Sequence, residues 1–389
     1  VRTRPIYQMQ KEMGAVMGLN YGWEHPLWFA ETPGVKDTNG FTRQNWFEPV
    51  GKECKMLREK AGIIDISNFA KYVVQGKKGR DWLDAVFANK MPTEVGRSCL
   101  TPLISRRGGL AGDFTVTLIA QDEYWIFGSG MAERYHKRFF DSVPLPEGVR
   151  FDSRTEAVCG FNLAGPLSRK ILQRLTNTSL NNQDFQFMRS KCADLAGIDV
   201  KMLRVSFTGD LGWEVHCNTA DQKALYTALL EAGKEFGAGP VGSRALMAMR
   251  VEKGYGSWSR EYSPEYWPHE QGMDRLCKMD KDFLNKAALQ AVLAQEPREQ
   301  MVLLHLNEAA VTASNADATG GEPVFKDGNG VGRVTSGAYG YSVGLSLALA
   351  MVKDVGPGDE VEVMVLGQPH KAKILHQPPF DPTGKKLRA

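Results

Sequence analysis

Gly108-Gly109-Leu110-Ala111-Gly112-Asp113-Phe114-Thr115-Val116 is the stretch on which the reading of this chain turns. A glycine-loosened turn delivers one carboxylate, Asp113, to the first residues of a β-rich run, Phe114 to Ile119. The run resumes at Tyr124-Trp125-Ile126-Phe127 and stops at Gly128-Ser129-Gly130. An acid at the mouth of such a hairpin can face a cleft while the strands behind it pack; it can equally be a plain turn residue. Two other clusters give it company. One is Ser206-Phe207-Thr208-Gly209-Asp210-Leu211-Gly212-Trp213-Glu214, and the other is Arg244 with Arg250.

Working outward, helices are expected over 48–60 and 80–87, with strands at 63–66 and 71–75. Val158 to Leu163 reads as a strand, and Gly165-Pro166 opens a helix through Leu175. Val200–Ser206 and Trp213–Cys217 form a hairpin, followed by an amphipathic helix from Ala220 to Phe236. Alternating hairpins and helices predict an α+β fold with antiparallel sheet. After about residue 294 the texture changes to short strands at 301–306, 323–325, 330–335, 347–352 and 360–365, separated by Asp327-Gly328-Asn329-Gly330 and Val355-Gly356-Pro357-Gly358-Asp359. A small all-β barrel or roll fits these. The chain thus divides into a Gly-, Trp- and Pro-rich lead-in (1–46), an α+β region (47–290) and a C-terminal β domain (291–389).

The 389 residues suffice for two or three domains, and a net charge of +3 with scattered basic residues offers no nucleic-acid surface. No run reaches the ~18 apolar residues of a membrane span. Seven histidines and six cysteines never fall into metal-ligand spacing, so no metal is assigned; the cysteines are expected as reduced, mostly buried thiols. The chain begins at Val1 with no visible secretory leader and reads as a processed product or a piece of something longer.

Gly237, Gly239 and Gly242 spell G-x-G-x-x-G, but the motif follows a helix and contains Pro240, so it reads as a helix stop and turn. Arg244 and Arg250 share a helix with a six-residue offset, ~240° of rotation at ~100° per residue, and do not share a face. One can reach a cleft while the other braces loops or pairs with Glu252; an arginine fork suits a carboxylate-bearing ligand. Glu214 alternates with Trp213 across a strand, and its carboxylate could accept two parallel N–H bonds from an aminopyrimidine-like edge. Tyr255, Trp258, Tyr262, Tyr266 and Trp267 make an aromatic loop that can stack on a ring or cover a core edge.

In this order the clusters resemble the tetrahydrofolate-binding portion of the dimethylglycine dehydrogenase and sarcosine dehydrogenase family, itself similar to the glycine-cleavage T-protein (aminomethyltransferase). The resemblance is carried by Gly22-Trp23-Glu24-His25-Pro26, Asn45-Trp46-Phe47-Glu48-Pro49, Asp65-Ile66-Ser67, the Asp113 stretch, Ala164-Gly165-Pro166, Thr208 to Glu214, Arg250-Val251-Glu252-Lys253, and Thr335-Ser336-Gly337-Ala338-Tyr339 in the tail. It implies a T-protein-like ring of three domains around a central folate channel. It implies that Asp113 is the catalytic acid beside the folate amines and that Glu214 grips the pterin edge. Arg244 and Arg250 match the arginine pair, and Phe207 and Tyr255 are further folate-side residues.

The implied activity is tetrahydrofolate-dependent one-carbon transfer from an N-methylated amine, or its iminium or formaldehyde product, to form 5,10-methylenetetrahydrofolate. FAD would be needed only in a fused or separate flavin domain, so this polypeptide alone is not expected to oxidise an amine. A bacterial cytoplasmic or mitochondrial matrix location would follow. Phe207 replaces a Tyr found in many relatives; Leu100 and Ser105 replace a Tyr and an Asn, and Gly128-Ser129 lacks an Asn. Two alternatives stay open: a flavin-independent demethylase of a sulfonium or methylamine, and a non-catalytic assembly module of the same fold.

Overall fold

A computed structural model describes residues 1–389. Helices in chain order are α1 (Tyr7–Glu12), α2 (Phe47–Glu59), α3 (Gly79–Val86), α4 (Glu133–Asp141), α5 (Ser168–Gln173), α6 (Gln222–Lys234), α7 (Ser243–Glu252), α8 (Lys286–Leu293) and α9 (Glu308–Ser314). Strands are β1 (Ala15–Asn20), β2 (Trp23–Phe29), β3 (Gly62–Asp65), β4 (Ala70–Gln75), β5 (Ser98–Ile104), β6 (Leu110–Ala120), β7 (Glu123–Gly128), β8 (Arg150–Ser153), β9 (Val158–Ala164), β10 (Ser190–Leu195), β11 (Ile198–Leu203), β12 (Gly212–Asn218) and β13 (Gly239–Val241). The C-terminal strands are β14 (Gln300–Leu306), β15 (Pro323–Lys326), β16 (Asn329–Gly340), β17 (Leu345–Val352), β18 (Glu360–Val365) and β19 (Gln368–Ile374).

Three sheet systems organise the molecule: a five-stranded sheet β5-β6-β7-β4-β8, a six-stranded sheet β10-β11-β12-β9-β3-β13, and a closed barrel β14-β17-β16-β15-β18-β19. The pleat explains how the first two are covered. Along β6, Phe114, Val116 and Leu118 join Tyr124 and Ile126 of β7 in a core with Trp82, Leu83 and Val86 of α3 and Phe140 of α4. Along β12, Trp213, Val215 and Cys217 join Phe161 and Leu163 of β9 in a core with α5 and α6. The alternate residues face away from both helix layers. They meet in a small apolar cluster of Val73, Ile119, Trp125, Phe127, Val158 and Leu203. The two sheets therefore press their helix-free faces together.

The lead-in is built into this frame. Ile6 enters the six-stranded sheet's core, and Trp28 joins Val50, Cys54 and Leu57 of α2 and Ala245 and Met249 of α7. No helix is long and apolar enough to cross a membrane. All six cysteines are free; Cys54, Cys159, Cys217 and Cys277 are buried, while Cys192 is exposed.

Several local expectations are corrected. Asp113 is not at the start of its strand: β6 begins at Leu110, three residues earlier, after a turn in which the Ser105 hydroxyl accepts the Gly109 N–H at 3.0 Å. The helix after Pro166 is shorter than read, because Gly165 at φ +121° holds the chain in a turn and Ser168 is the first helical residue. The glycine motif at 237–242 includes a short strand, β13, which pairs in parallel with β3. Strands β1, β2, β5, β8, β10 and β19 were not read from the sequence.

Candidate functional site

Asp113 projects from the helix-free face of the five-stranded sheet, because Phe114 beside it goes into the helix-covered core. Thr115, two residues on, is paired with Phe127 of β7. The Phe127 ring stacks on His216 with centroids 4.6 Å apart and 28° between planes. His216 Nε2 lies 3.5 Å from Glu214 Oε2. Asp113 and Glu214 thus stand on the helix-free faces of the two sheets, with Thr115, Phe127 and His216 between them.

Asp113 Oδ1, Asn162 Oδ1 and both ring nitrogens of His216 are buried without a hydrogen-bond partner. Asn162 is the cross-strand neighbour of Glu214, and its amide donates to Trp213 O at 3.3 Å. Burial with no cation beside it pushes the Asp113 carboxyl up to about 6. The Tyr262 hydroxyl is raised by burial first and by Asp113 second, which brings the aromatic loop to the acid. Lys71 comes from β4 on the same face as Val73. Its Nζ donates to Ser67 O (3.0 Å) and Phe69 O (2.8 Å), and burial lowers its ammonium to about 8. Unpaired buried acceptors cost stability, which makes this layer a candidate site.

The other residues singled out from the sequence fall in different places. Phe207 and Tyr255 stack on each other at 6.1 Å and 21°. Arg250 is 1% exposed, and its fork is filled from within the chain. Nη1 donates to Tyr255 O and Glu261 Oε2, both at 2.9 Å, and Nη2 to Ser336 Oγ at 2.5 Å. The carboxylate it meets is Glu261, and it braces the aromatic loop against the barrel. Glu252 pairs instead with Arg58. Arg244, at the other end of α7, pairs with Asp37 and lies over Trp46. It lines a cavity of about 160 Å³ with Arg43 and Asp317. A larger cavity of about 680 Å³ opens between the sheets beside Trp125, Val158, Lys201 and His216; neither acid lines it. The carboxylates in its walls are Glu123 and Asp199.

Sequence reasoning missed Asn162, His216 and Phe127. Two of them carried a signal: Asn162 is a polar residue inside an apolar strand, and His216 follows Glu214 by two, on the same face.

The family model described as "GCVT N-terminal domain" matches residues 6–281, and that for the "Glycine cleavage T-protein C-terminal barrel domain" matches 300–381. The chain belongs to this T-protein family. The mitochondrial dimethylglycine dehydrogenase of Mus musculus is 34% identical over 388 residues, covering 97% of this chain and 43% of the relative. The 4-methylaminobutanoate oxidase (formaldehyde-forming) of Paenarthrobacter nicotinovorans is 27% identical, with 100% of this chain and 47% of the relative covered. The chain spans about half the length of these relatives. The solved glycine cleavage system aminomethyltransferase T from Bartonella henselae superposes with a TM-score of 0.84 at 21% identity, covering 98% of each chain. The fold is the aminomethyltransferase fold, with its C-terminal barrel closed by six strands. This is an aminomethyltransferase-type domain related to the dimethylglycine and sarcosine dehydrogenases.

Proposed function

We propose that this T-protein-family chain carries out tetrahydrofolate-dependent one-carbon transfer, taking the carbon of an N-methylated amine of the dimethylglycine or sarcosine type to 5,10-methylenetetrahydrofolate. The observation that carries the reading is the buried, unpaired Asp113 Oδ1, on the helix-free face of its sheet, with Glu214 on the helix-free face of the other. The orphaned acceptors at Asp113 and Asn162 fit a reduced pterin, which is rich in N–H donors.

In this reading Glu214 accepts two N–H bonds at the aminopyrimidine edge and fixes the ring's orientation. Asp113, ionised above pH about 6, holds the proton-bearing amine in place and accepts its proton. Folate supplies the nucleophilic amines that capture the carbon. The apolar cluster around Trp125, Phe127 and Leu203 keeps water from that side of the layer. Phe207 and Tyr255 would form an aromatic wall, with Arg250 holding Tyr255 through its carbonyl. The dehydrogenase and oxidase relatives support an N-methyl amine as carbon source. Their greater length supports assigning the oxidation step to a flavin-bearing domain or subunit beyond the shared region.

Calorimetric titration with tetrahydrofolate is the direct test. Saturable binding is expected, weakened about tenfold or more by Glu214→Gln, since a hydrogen bond to a charged group is worth ~1.5–3 kcal/mol. No heat at high micromolar wild-type protein would remove the proposal.

A further inference from the structure

We propose that His216 is a positioning residue that holds the Glu214 carboxylate in its pterin-gripping orientation through a neutral Nε2–H; this rests on the folate reading of Glu214.

The His216 side chain is 0% exposed, and neither ring nitrogen has a hydrogen-bond partner. A buried imidazole that only filled space would leave both nitrogens unsatisfied at a cost that an apolar ring of similar shape would avoid. Phe127 fixes one face of the ring by stacking. The other constraint is Gly160, the cross-strand neighbour of His216: a Cβ there would stand 2.5 Å from Nδ1. Nδ1 therefore points at bare backbone, and the only anion at the ring is Glu214, 3.5 Å from Nε2. That separation is slightly long for a hydrogen bond, as is common before a ligand tightens a site.

Burial lowers the imidazole's proton affinity and outweighs the pull of Glu214, with Lys71 and Lys201 acting in the same direction as burial. The ring is neutral at pH 7 and has one proton to place. On Nε2 it meets a carboxylate; on Nδ1 it meets nothing. Glu214 then has one oxygen oriented by His216, and its remaining lone pairs face the ligand. Lys71 is a cation near Glu214, but its Nζ is committed to two carbonyls.

Two measurements test this. Nitrogen-15 NMR of histidine-labelled full chain is expected to show His216 as the neutral Nε2–H tautomer, with the Nε2 resonance moving when tetrahydrofolate is added. The Nδ1–H tautomer, or a resonance indifferent to the ligand, overturns the proposal without any substitution. In calorimetry, His216→Phe is expected to weaken tetrahydrofolate binding about tenfold, one hydrogen bond to a charged group. His216→Gln, which returns a donor near Nε2, should restore most of it. The double variant with Glu214→Gln should bind no worse than Glu214→Gln alone. Wild-type affinity in His216→Phe with loss in Glu214→Gln rejects the positioning role and keeps the folate reading; wild-type affinity in both rejects the two together.

Discussion

The stretch Ser206–Glu214 feeds two buried polar clusters of opposite character. On one side, Asp210 is locked to Arg58 of α2, whose guanidinium also reaches Thr208 O at 2.7 Å, Glu252 of α7 at 2.6 Å and Ser342 Oγ at 3.0 Å. Glu252 in turn accepts the Ser342 N–H at 2.9 Å, and the Phe380 ring lies 3.5 Å from the guanidinium carbon. The charged groups there all have hydrogen-bond partners, and the cluster rivets α2, α7, the 206–212 loop and the barrel together. On the other side, Glu214, Asp113, Asn162 and His216 share a layer in which several polar atoms have no partner. A matched buried network serves stability; an unmatched one keeps its hydrogen-bonding capacity for something that arrives later.

The comparison can be broken at its strongest point first. Arg58→Ala removes the hub and strands two buried carboxylates, Asp210 and Glu252. A loss of roughly 3–5 kcal/mol is expected, read by urea unfolding; a loss under 1 kcal/mol would mean the network is not the rivet described. Asp113→Asn should behave in the opposite way. Folate-dependent turnover is expected to fall by about 10²-fold or more, while unfolding stability holds or rises, because a poorly solvated carboxylate has been neutralised.

The pH dependence sharpens the same contrast. Burial raises the Asp113 carboxyl from 3.8 to about 6. Its protonated form is thus favoured by folding: the contribution to stability is fully present below pH about 4 and is lost as pH rises through about 6. Activity through an ionised Asp113 runs the other way and rises through about 6. Subtracting Asp113→Asn stability curves from wild type should reveal the falling slope, and the acid limb of the rate profile should vanish in the variant. The smallest expected effect is at Phe207→Tyr. The ring stacks on Tyr255 and is only partly buried, so the change should stay within ~0.5 kcal/mol of wild type in a melting experiment.

Some elements announced themselves and others could not. α2 was legible because Val50, Cys54 and Leu57 recur at helical spacing, and α7 because Ser243–Glu252 is made largely of good helix formers. Strand β19, which closes the barrel, was not: Gln368-Pro369-His370-Lys371-Ala372-Lys373-Ile374 is polar and contains a proline. Its buried residues, His370, Ala372 and Ile374, alternate correctly but lack bulk, and only pairing with β14 and β18 makes them interior. The parallel pair β13–β3 joins segments far apart in sequence, and no local pattern encodes such a partner. Arg250 shows the same limit at the level of a side chain. The sequence offered a cleft, a brace on neighbouring loops or a pairing with Glu252; the brace is what forms, through Glu261, eleven residues on, because the aromatic loop folds back over the helix end.

What the amino-acid order settled alone is the family and the α+β character, since turn chemistry, period-2 alternation and ordered motifs are local properties. Which carboxylates are neutralised and which stay open was decided only by tertiary packing. Asp113, Asp210, Glu214 and Glu252 are chemically alike in one dimension. Two of them lie where α2 brings Arg58. The other two lie where two sheets meet through their helix-free faces, beyond that guanidinium's reach. Electrostatic partnership falls off within a few ångströms, and proximity of that kind exists only after the chain has folded.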